Sequence, residues 1–232
     1  MTDPDFPPLF RGLSSADPLA QACAAARDGT DAGLVTYDLA HDRLRAAIVF
    51  APEVPLREAA VMLHLCGVGF QNALGVLGPP VVALHLDWNG AIRVNGGICG
   101  HLTMAASAAD PDTIPDWLVV GLTLDLWPAD GGEGGATPDR TALYAEGCSD
   151  VTAPDLLSAW VRHTLALLDT WDHQGLGAIH REWTSLAHGL NAPLTIGDQT
   201  GTFLGTDDSF GLLLKSDTTH LIPLTSLLRT DV

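Results

Sequence analysis

The sequence predicts an α+β protein: a body in which strands alternate with helices, followed by a small all-β unit. Three observations predict it. Apolar residues make up 47% of the 232 positions, which is enough to build a sizeable core. Between residues 15 and 188, segments of helical hydrophobic period alternate with short strand-like runs. After Gly189 the helical patterns stop, and short β-rich pieces separated by Gly, Asp and Asn turns replace them. The expected organisation is a tail over 1–14, a main domain over 15–188 and a C-terminal β domain over 189–232.

Each element follows from local signals. SADPLAQACAAARD (15–28) reads as a helix, with Ser15 or Asp17 as cap, Pro18 in the first turn and Gly29 as terminator. AGLVTYDL and LRAAIVFAP are two strands in hairpin order around His41–Asp42. Residues 54–77 form one long apolar helix, ended by GPP at 78–80. VVALHLDW is a strand. IRVNGGICGHLTMAAS is a hairpin turning at Asn95-Gly96, the strongest short hairpin signal. WLVVGLTLDLW (117–127) is a further strand, and PADGGEGGATPDR (128–140) is a flexible loop with four glycines. Thr152 caps a long helix whose apolar positions 156, 157, 160, 161, 165, 168 and 171 follow a 3.6 period. A shorter helix covers 179–187. The tail supplies four or five strands, the size of a small SH3-like barrel.

Charge narrows the partners. The net charge of −17 and the absence of a Lys/Arg-rich patch disfavour nucleic acid. The whole chain holds one lysine, Lys215; arginine supplies the other ten basic residues. No apolar run reaches the roughly 18 residues expected of a membrane span. The acidic start MTDPDFPPLF lacks a signal peptide's basic region, so a cytoplasmic protein is expected. Cys23, Cys66, Cys99 and Cys148 lack C-x-x-C spacing and read as free, mostly buried thiols.

Three patterns are candidates for chemistry. Cys148 precedes a helix, where a thiolate could be stabilised, although a lone cysteine there is usually packed. Cys99 and His101 alternate along a strand and so should share a face; His173, His180 and Glu182 lie close in sequence. None matches a zinc spacing, and no metal site is expected. Asn95-Gly96-Gly97 and Gly100 would let backbone amides approach an anion, or simply make a hairpin turn.

Taken in order, these segments resemble the biotin protein ligase / lipoate ligase superfamily over nearly the whole chain. DWNGAIRVNGGICGHL (87–102) is similar to the ligases' Lys-Trp-Pro-Asn-Asp strand, Asn-Gly turn and Lys-x-x-Gly-Ile segment. VVGLTLDL is similar to their Gly-Ile-Gly-Ile-Asn strand, LLSAWVRHTLALLDTWDHQGLGAIHREW to their closing helix pair, and NAPLTIGDQTGTFLGTDDSFGLLL to their SH3-like domain. The resemblance implies a central mixed sheet with packed helices, like that of class II aminoacyl-tRNA synthetases, plus the small barrel. It also implies attack of a carboxylate on ATP with Mg²⁺, giving an acyl-adenylate of biotin or lipoate, then transfer to a lysine of a biotinyl or lipoyl carrier protein. Ligand-binding positions carried over are Trp88, Asn89, Arg93, Asn95, Gly96, Gly97, Gly100, Gly121 and Asp125.

The chain departs from the family where the chemistry sits. The Gly-Arg-Gly-Arg loop is absent, leaving AHD flanked by Arg43 and Arg45. Asp87 replaces the lysine before the tryptophan, Gly97 stands at the strand lysine, and Asp125 at the usual asparagine. Positive charge stabilises a developing phosphoryl group, so these losses matter for rate. Three functions stay open: a binding protein for a small carboxylic acid or its adenylate with ligase activity weak or lost; an active divergent ligase; and an acyltransferase using Cys148. Arg93 and Cys148 are the catalytic candidates. Sheet edges could also pair two copies as a homodimer.

Overall fold

The computed structural model describes residues 3–128 and 139–229. A seven-stranded sheet forms the body: β1 (Arg11–Ser14), β2 (Leu34–Leu39), β3 (Arg43–Phe50), β4 (Leu84–Leu86), β5 (Ala91–Val94), β6 (Gly97–Ala106) and β7 (Leu118–Asp125). Its order is β1-β2-β3-β7-β6-β5-β4. β1 runs parallel to β2 and every other neighbouring pair is antiparallel, so the sheet is mixed. The β5–β6 turn has Asn95 at φ 49° and Gly96 at φ 93°. Both lie in the left-handed region that the expected tight hairpin demands. β1 was not expected from the sequence, because all four residues of RGLS are exposed and leave no alternation to detect.

Helix α1 (Pro18–Arg27) packs on one face of the sheet, where Ala22, Cys23 and Ala26 meet Ala47, Val49, Ala105 and Val119. Asp17 caps it by accepting from Ala20 N at 3.3 Å, and Pro18 occupies the first turn. The other face carries α2 (Leu56–Ala59), α3 (Met62–Leu77), α4 (Ala153–Gln174) and α5 (Gly177–Leu186). The expected single helix over 54–77 is two. Near Ala60–Val61 the bonding tightens from i−4 to i−3: Val61 N donates to Glu58 O and Leu63 N to Ala60 O.

The expectation about apolar runs also needs correction. Leu56–Leu77 is long and apolar enough to cross a membrane, with mean hydropathy 1.5. Here it is a core helix: α3 lies between the sheet and α4, and 72% of the apolar stretch is buried. Covered on both sides, the helix is buried at every position from Met62 to Phe70 and carries no polar stripe there.

The C-terminal unit is a four-stranded antiparallel sheet, β8 (Pro193–Ile196), β9 (Gln199–Thr206), β10 (Leu212–Lys215) and β11 (Thr219–Ile222), in the order β11-β10-β9-β8. No closed barrel forms among the described residues. Closure would pair β11 with β8, but a 3-10 helix at Leu224–Leu227 carries the chain back to the main sheet instead. There Leu228 bridges Met104, and Arg229 N donates to Met104 O at 2.8 Å. The unit is also anchored by Trp88, whose Nε1 donates to Phe210 O at 2.7 Å.

Candidate functional site

Strand alternation explains where a site can lie. α1 covers only one end of its sheet face. Counting by twos, back from the covered residues Val49 and Ala105 and forward from Val119, places Arg45, Arg43, Thr103, His101, Gly121, Thr123 and Asp125 on the same face. Register brings them together: Arg43 opposes Asp125, Arg45 opposes Thr123, and His101 opposes Thr123 from the other side. An open, polar half-face results. Its larger cleft, about 630 Å³, is lined by Arg43, Asp87, Asn89, Arg93, Gly100, His101, Thr123, Asp125 and Arg140, among others.

The charges in this cleft are paired with one another. Arg93 grips Asp87 with Nε at 2.8 Å and Nη2 at 2.9 Å, a bidentate pair that is largely buried. Hydrogen bonding to Asp87 raises the Arg93 pKa above its ordinary value. His188, just before the C-terminal unit, adds Nδ1 at 3.1 Å from Asp87. Asp125 holds Arg140 at 3.1 Å and Arg43 at 3.6 Å. His101 differs: burial lowers its pKa, with the Asp87 carboxylate partly opposing, so its ring is neutral near pH 7.

One wall is a strap spanning residues 139–144. Ile98 N donates to Asp139 O at 2.8 Å and Thr141 N to Ile98 O at 2.9 Å. Farther on, Leu143 N donates to Asp125 O and Tyr144 N to Leu126 O, tying the strap to β7 as well. Glu146 latches it, accepting from Thr141 Oγ1 and from Asn95 Nδ2.

Of the residues expected at the site, Asn89, Arg93, Gly100 and Asp125 line the larger cleft. Gly121 lies on the same face in a smaller adjoining cleft, with Thr123 common to both. Asn95, Gly96 and Gly97 do not line either. They form the hairpin turn and its edge, and Arg93 Nη1 donates to Gly96 O at 2.9 Å. Trp88 is packed between the sheet and Phe210, 2% exposed, so the aromatic ring is a joint between the two units rather than a cleft wall. Cys148 is fully buried in the core, and burial, then Glu146, raises its thiol pKa, the opposite of an activated nucleophile.

The expected shared face of Cys99 and His101 is absent. Ile92 pairs with Gly100 but Arg93 with Ile98, so Cys99 is an extra, bulged residue. The bulge reverses alternation: Ile98 and His101 line the cleft while Cys99 is buried in the core. Among the described residues no three His, Cys, Asp or Glu side chains gather to hold a metal ion. The glycine-rich stretch 129–138 of the loop over 128–140 lies outside the described residues.

Sequence reasoning missed Arg140, Thr123 and His101 as cleft residues. Thr123 could have been found, since it sits midway between Gly121 and Asp125 on one strand face. Arg140 had no local signal, because it arrives through strap pairing.

The fit to ATP chemistry can be tested on these atoms. A Cβ at Gly97, the position that the resemblance sets against the ligases' strand lysine, would lie 2.9 Å from Thr141 Cβ. The strap therefore fills the space such a side chain needs. Each arginine that faces the larger cleft already has a carboxylate partner. These residues do not fit a polyphosphate in the family's manner.

Comparison with known proteins agrees with the fold. The sequence profile of the Biotin/lipoate A/B protein ligase family matches residues 6–185, and that of a Domain of unknown function (DUF4444) matches residues 194–230. No curated protein matches the chain. A crystal structure of a biotin protein ligase-like protein of unknown function from Silicibacter sp. TM1040 is 59% identical, with TM-score 0.92, covering 97% of this chain and 99% of that one. Biotin protein ligase from Aquifex aeolicus in complex with biotin and ATP is 16% identical, with TM-score 0.69 and coverages of 92% and 95%. The Leishmania major enzyme in complex with biotinyl-5-AMP is 14% identical, with TM-score 0.56 and coverages of 93% and 99%. At those identities the two enzymes establish likeness of fold alone. The match over residues 6–185 covers most of the chain, which belongs to the biotin/lipoate A/B protein ligase family.

Proposed function

We propose that this protein binds a small carboxylic acid of the biotin or lipoate kind, or its adenylate, on the open sheet face, with the family's ligase activity weak or lost. One observation carries the reading: a side chain at Gly97, which the resemblance sets against the family's strand lysine, would strike Thr141 of the strap. The pairing of Arg43, Arg93 and Arg140 with Asp125 and Asp87 supports it. A triphosphate needs uncompensated positive charge where its leaving group forms. Three arginines against two carboxylates leave about one net charge, which suits a monoanion better. Removing several such contacts together costs orders of magnitude in rate. The setting we propose is cytoplasmic.

The test pairs binding with turnover. Calorimetry with biotin and with lipoate should detect binding of one of them. Incubation of that acid with ATP and Mg²⁺ should release no pyrophosphate above the protein-free rate. Pyrophosphate release at rates of the order of 1 s⁻¹, ordinary for an enzyme, would overturn the loss of activity. No binding of either acid would overturn the ligand class.

A further inference from the structure

One side chain of the larger cleft stands apart from its ion pairs. His101 sits on β6 between two charged groups, with Asp87 and Arg93 toward β4 and β5, and Arg43 and Asp125 toward β3 and β7. Its half-buried ring makes no hydrogen bond to a described residue, and neither nitrogen is sealed in the protein as Nε2 of His64 is. Two neighbours share this condition. Asn89 spends Oδ1 on Ala91 N at 3.2 Å, which leaves Nδ2 without a bond among the described residues. The hydroxyl of Thr123, directly across from His101 in the β6–β7 register, is likewise unbonded among them. Small residues leave room beside the ring, since Ala91 opposes His101 on β5 and Gly100 precedes it.

The charges beside these groups are compensated unevenly. Asp87 answers one arginine, Arg93, whereas Asp125 answers two, Arg43 and Arg140. The net positive charge that suits a monoanion therefore sits at the Asp125 end. His101 lies one strand over from Asp125 and two residues along, roughly 8 Å between backbones by strand geometry. We propose that His101, with Asn89 and Thr123, reads the far end of the bound acid and selects one that carries a neutral hydrogen-bonding group, an amide or cyclic urea, over one that ends in hydrocarbon or a disulfide ring. A neutral imidazole offers one N–H donor and one acceptor nitrogen, the complement of the C=O and N–H that a urea presents side by side. An apolar end would cover the three side chains and leave them unpaired, and a polar group buried unpaired loses its water without a replacement. The inference rests on the reading of this sheet face as an acid-binding surface and deepens it by naming the class of acid.

The probes are biotin and desthiobiotin, acids that end in a cyclic urea, and lipoate, an acid of similar length that ends in a dithiolane. Calorimetry on the full chain should find the two ureas bound at least about tenfold more tightly than lipoate, since an ordinary hydrogen bond is worth about fivefold. H101F should weaken the ureas about tenfold and leave lipoate unchanged or tighter, and H101Q, which keeps a donor and an acceptor, should recover part of the loss. T123V reads the same contact from β7 should H101F disturb folding, which its thermal unfolding reveals. Biotin should also shift the ring-nitrogen NMR signals of His101, which are identified by their disappearance in H101F. Lipoate bound as tightly as the ureas would overturn the selection while leaving acid binding at this face intact. So would urea affinity unchanged in both H101F and T123V, or equal losses for urea and dithiolane. Binding of none of the three acids would overturn acid binding at this face, and the selection with it.

Discussion

A methyl group at Gly97 would meet Thr141 Cβ at 2.9 Å and Cγ2 at 3.0 Å, with the Arg140 carbonyl carbon at 3.4 Å. Thr141 cannot simply step aside, because its N–H is bonded to Ile98 O and its hydroxyl to Glu146. A lysine placed here, as G97K, should therefore displace the strap and cost about 1–3 kcal/mol, the usual penalty for overpacking. It should produce no pyrophosphate release. The pair G97A and T141G should be less destabilising together than the sum of the two alone, measured by urea denaturation, because the second removes the atoms the first strikes. Strict additivity would mean the strap does not press on Gly97. Asp125 gives a second test. D125N releases Arg43 and Arg140, which are 44% and 57% exposed. Stability should change by only about 0–1 kcal/mol, as for surface pairs. Affinity for biotin or lipoate should rise several-fold and become more salt-sensitive, because guanidinium charge is freed. An unchanged affinity by calorimetry would show that these arginines do not face the ligand.

α3 sits between two layers, and two glycines set its distance from each. A Cβ at Gly67 would lie 3.0 Å from Leu86 Cδ1 on the sheet side, and one at Gly69 would lie 2.8 Å from Thr164 Oγ1 and 3.2 Å from Thr164 N on α4. Alanine ordinarily stabilises a helix over glycine by about 1 kcal/mol. At Gly69 the α4 backbone opposes that gain, so G69A should lose about 1–2 kcal/mol net. Gly75 faces only Gln71 Nε2 at 3.6 Å, and G75A should gain about 0.5–1 kcal/mol. Thermal unfolding of the two variants should shift in opposite directions; a stabilised G69A would mean the helices are not in close contact there. Such elements are readable in the sequence because their signals are local. Asp17-Pro18 starts α1, Thr152 caps α4 through Asp155 N at 3.3 Å, and Gly175 ends it at φ 75°. The break at Ala60–Val61 is not readable, since both sides of it are apolar and helical. Nor is the bulge at Cys99, because one extra residue leaves an alternating pattern only slightly altered while moving the side chain to the opposite face.

Across the whole molecule, the features that escape the sequence are those made by residues far apart in the chain. Trp88 meets Phe210 across 122 positions, and no local pattern marks a tryptophan as a domain joint. The same joint holds His64 of α3, which stacks on Trp183 of α5 at 4.4 Å and faces Phe210 of the C-terminal unit at 5.3 Å. Its Nε2 and the Nε1 of Trp183 have no hydrogen-bond partner among the described residues. Burial, helped by His180 nearby, pushes the His64 pKa down from 6.5 to about 3. In the unfolded chain the ring protonates near 6.5, whereas in the fold it stays neutral until about pH 3. Protons therefore bind the unfolded state preferentially between those values, so stability is complete above pH 6.5 and falls as the pH drops toward 3. At about 1.36 kcal/mol per pH unit, the full loss is roughly 4–5 kcal/mol. Because the ring lies between units, acid should loosen the C-terminal sheet from the body before the body itself unfolds. H64F keeps an aromatic ring in the stack and removes the proton site. Its melting temperature should fall less steeply than that of the unsubstituted chain between about pH 6.5 and 4, and proteolysis near residues 188–192 at about pH 4.5 should slow. Parallel melting curves for the two proteins would show that His64 does not carry the acid sensitivity of the joint.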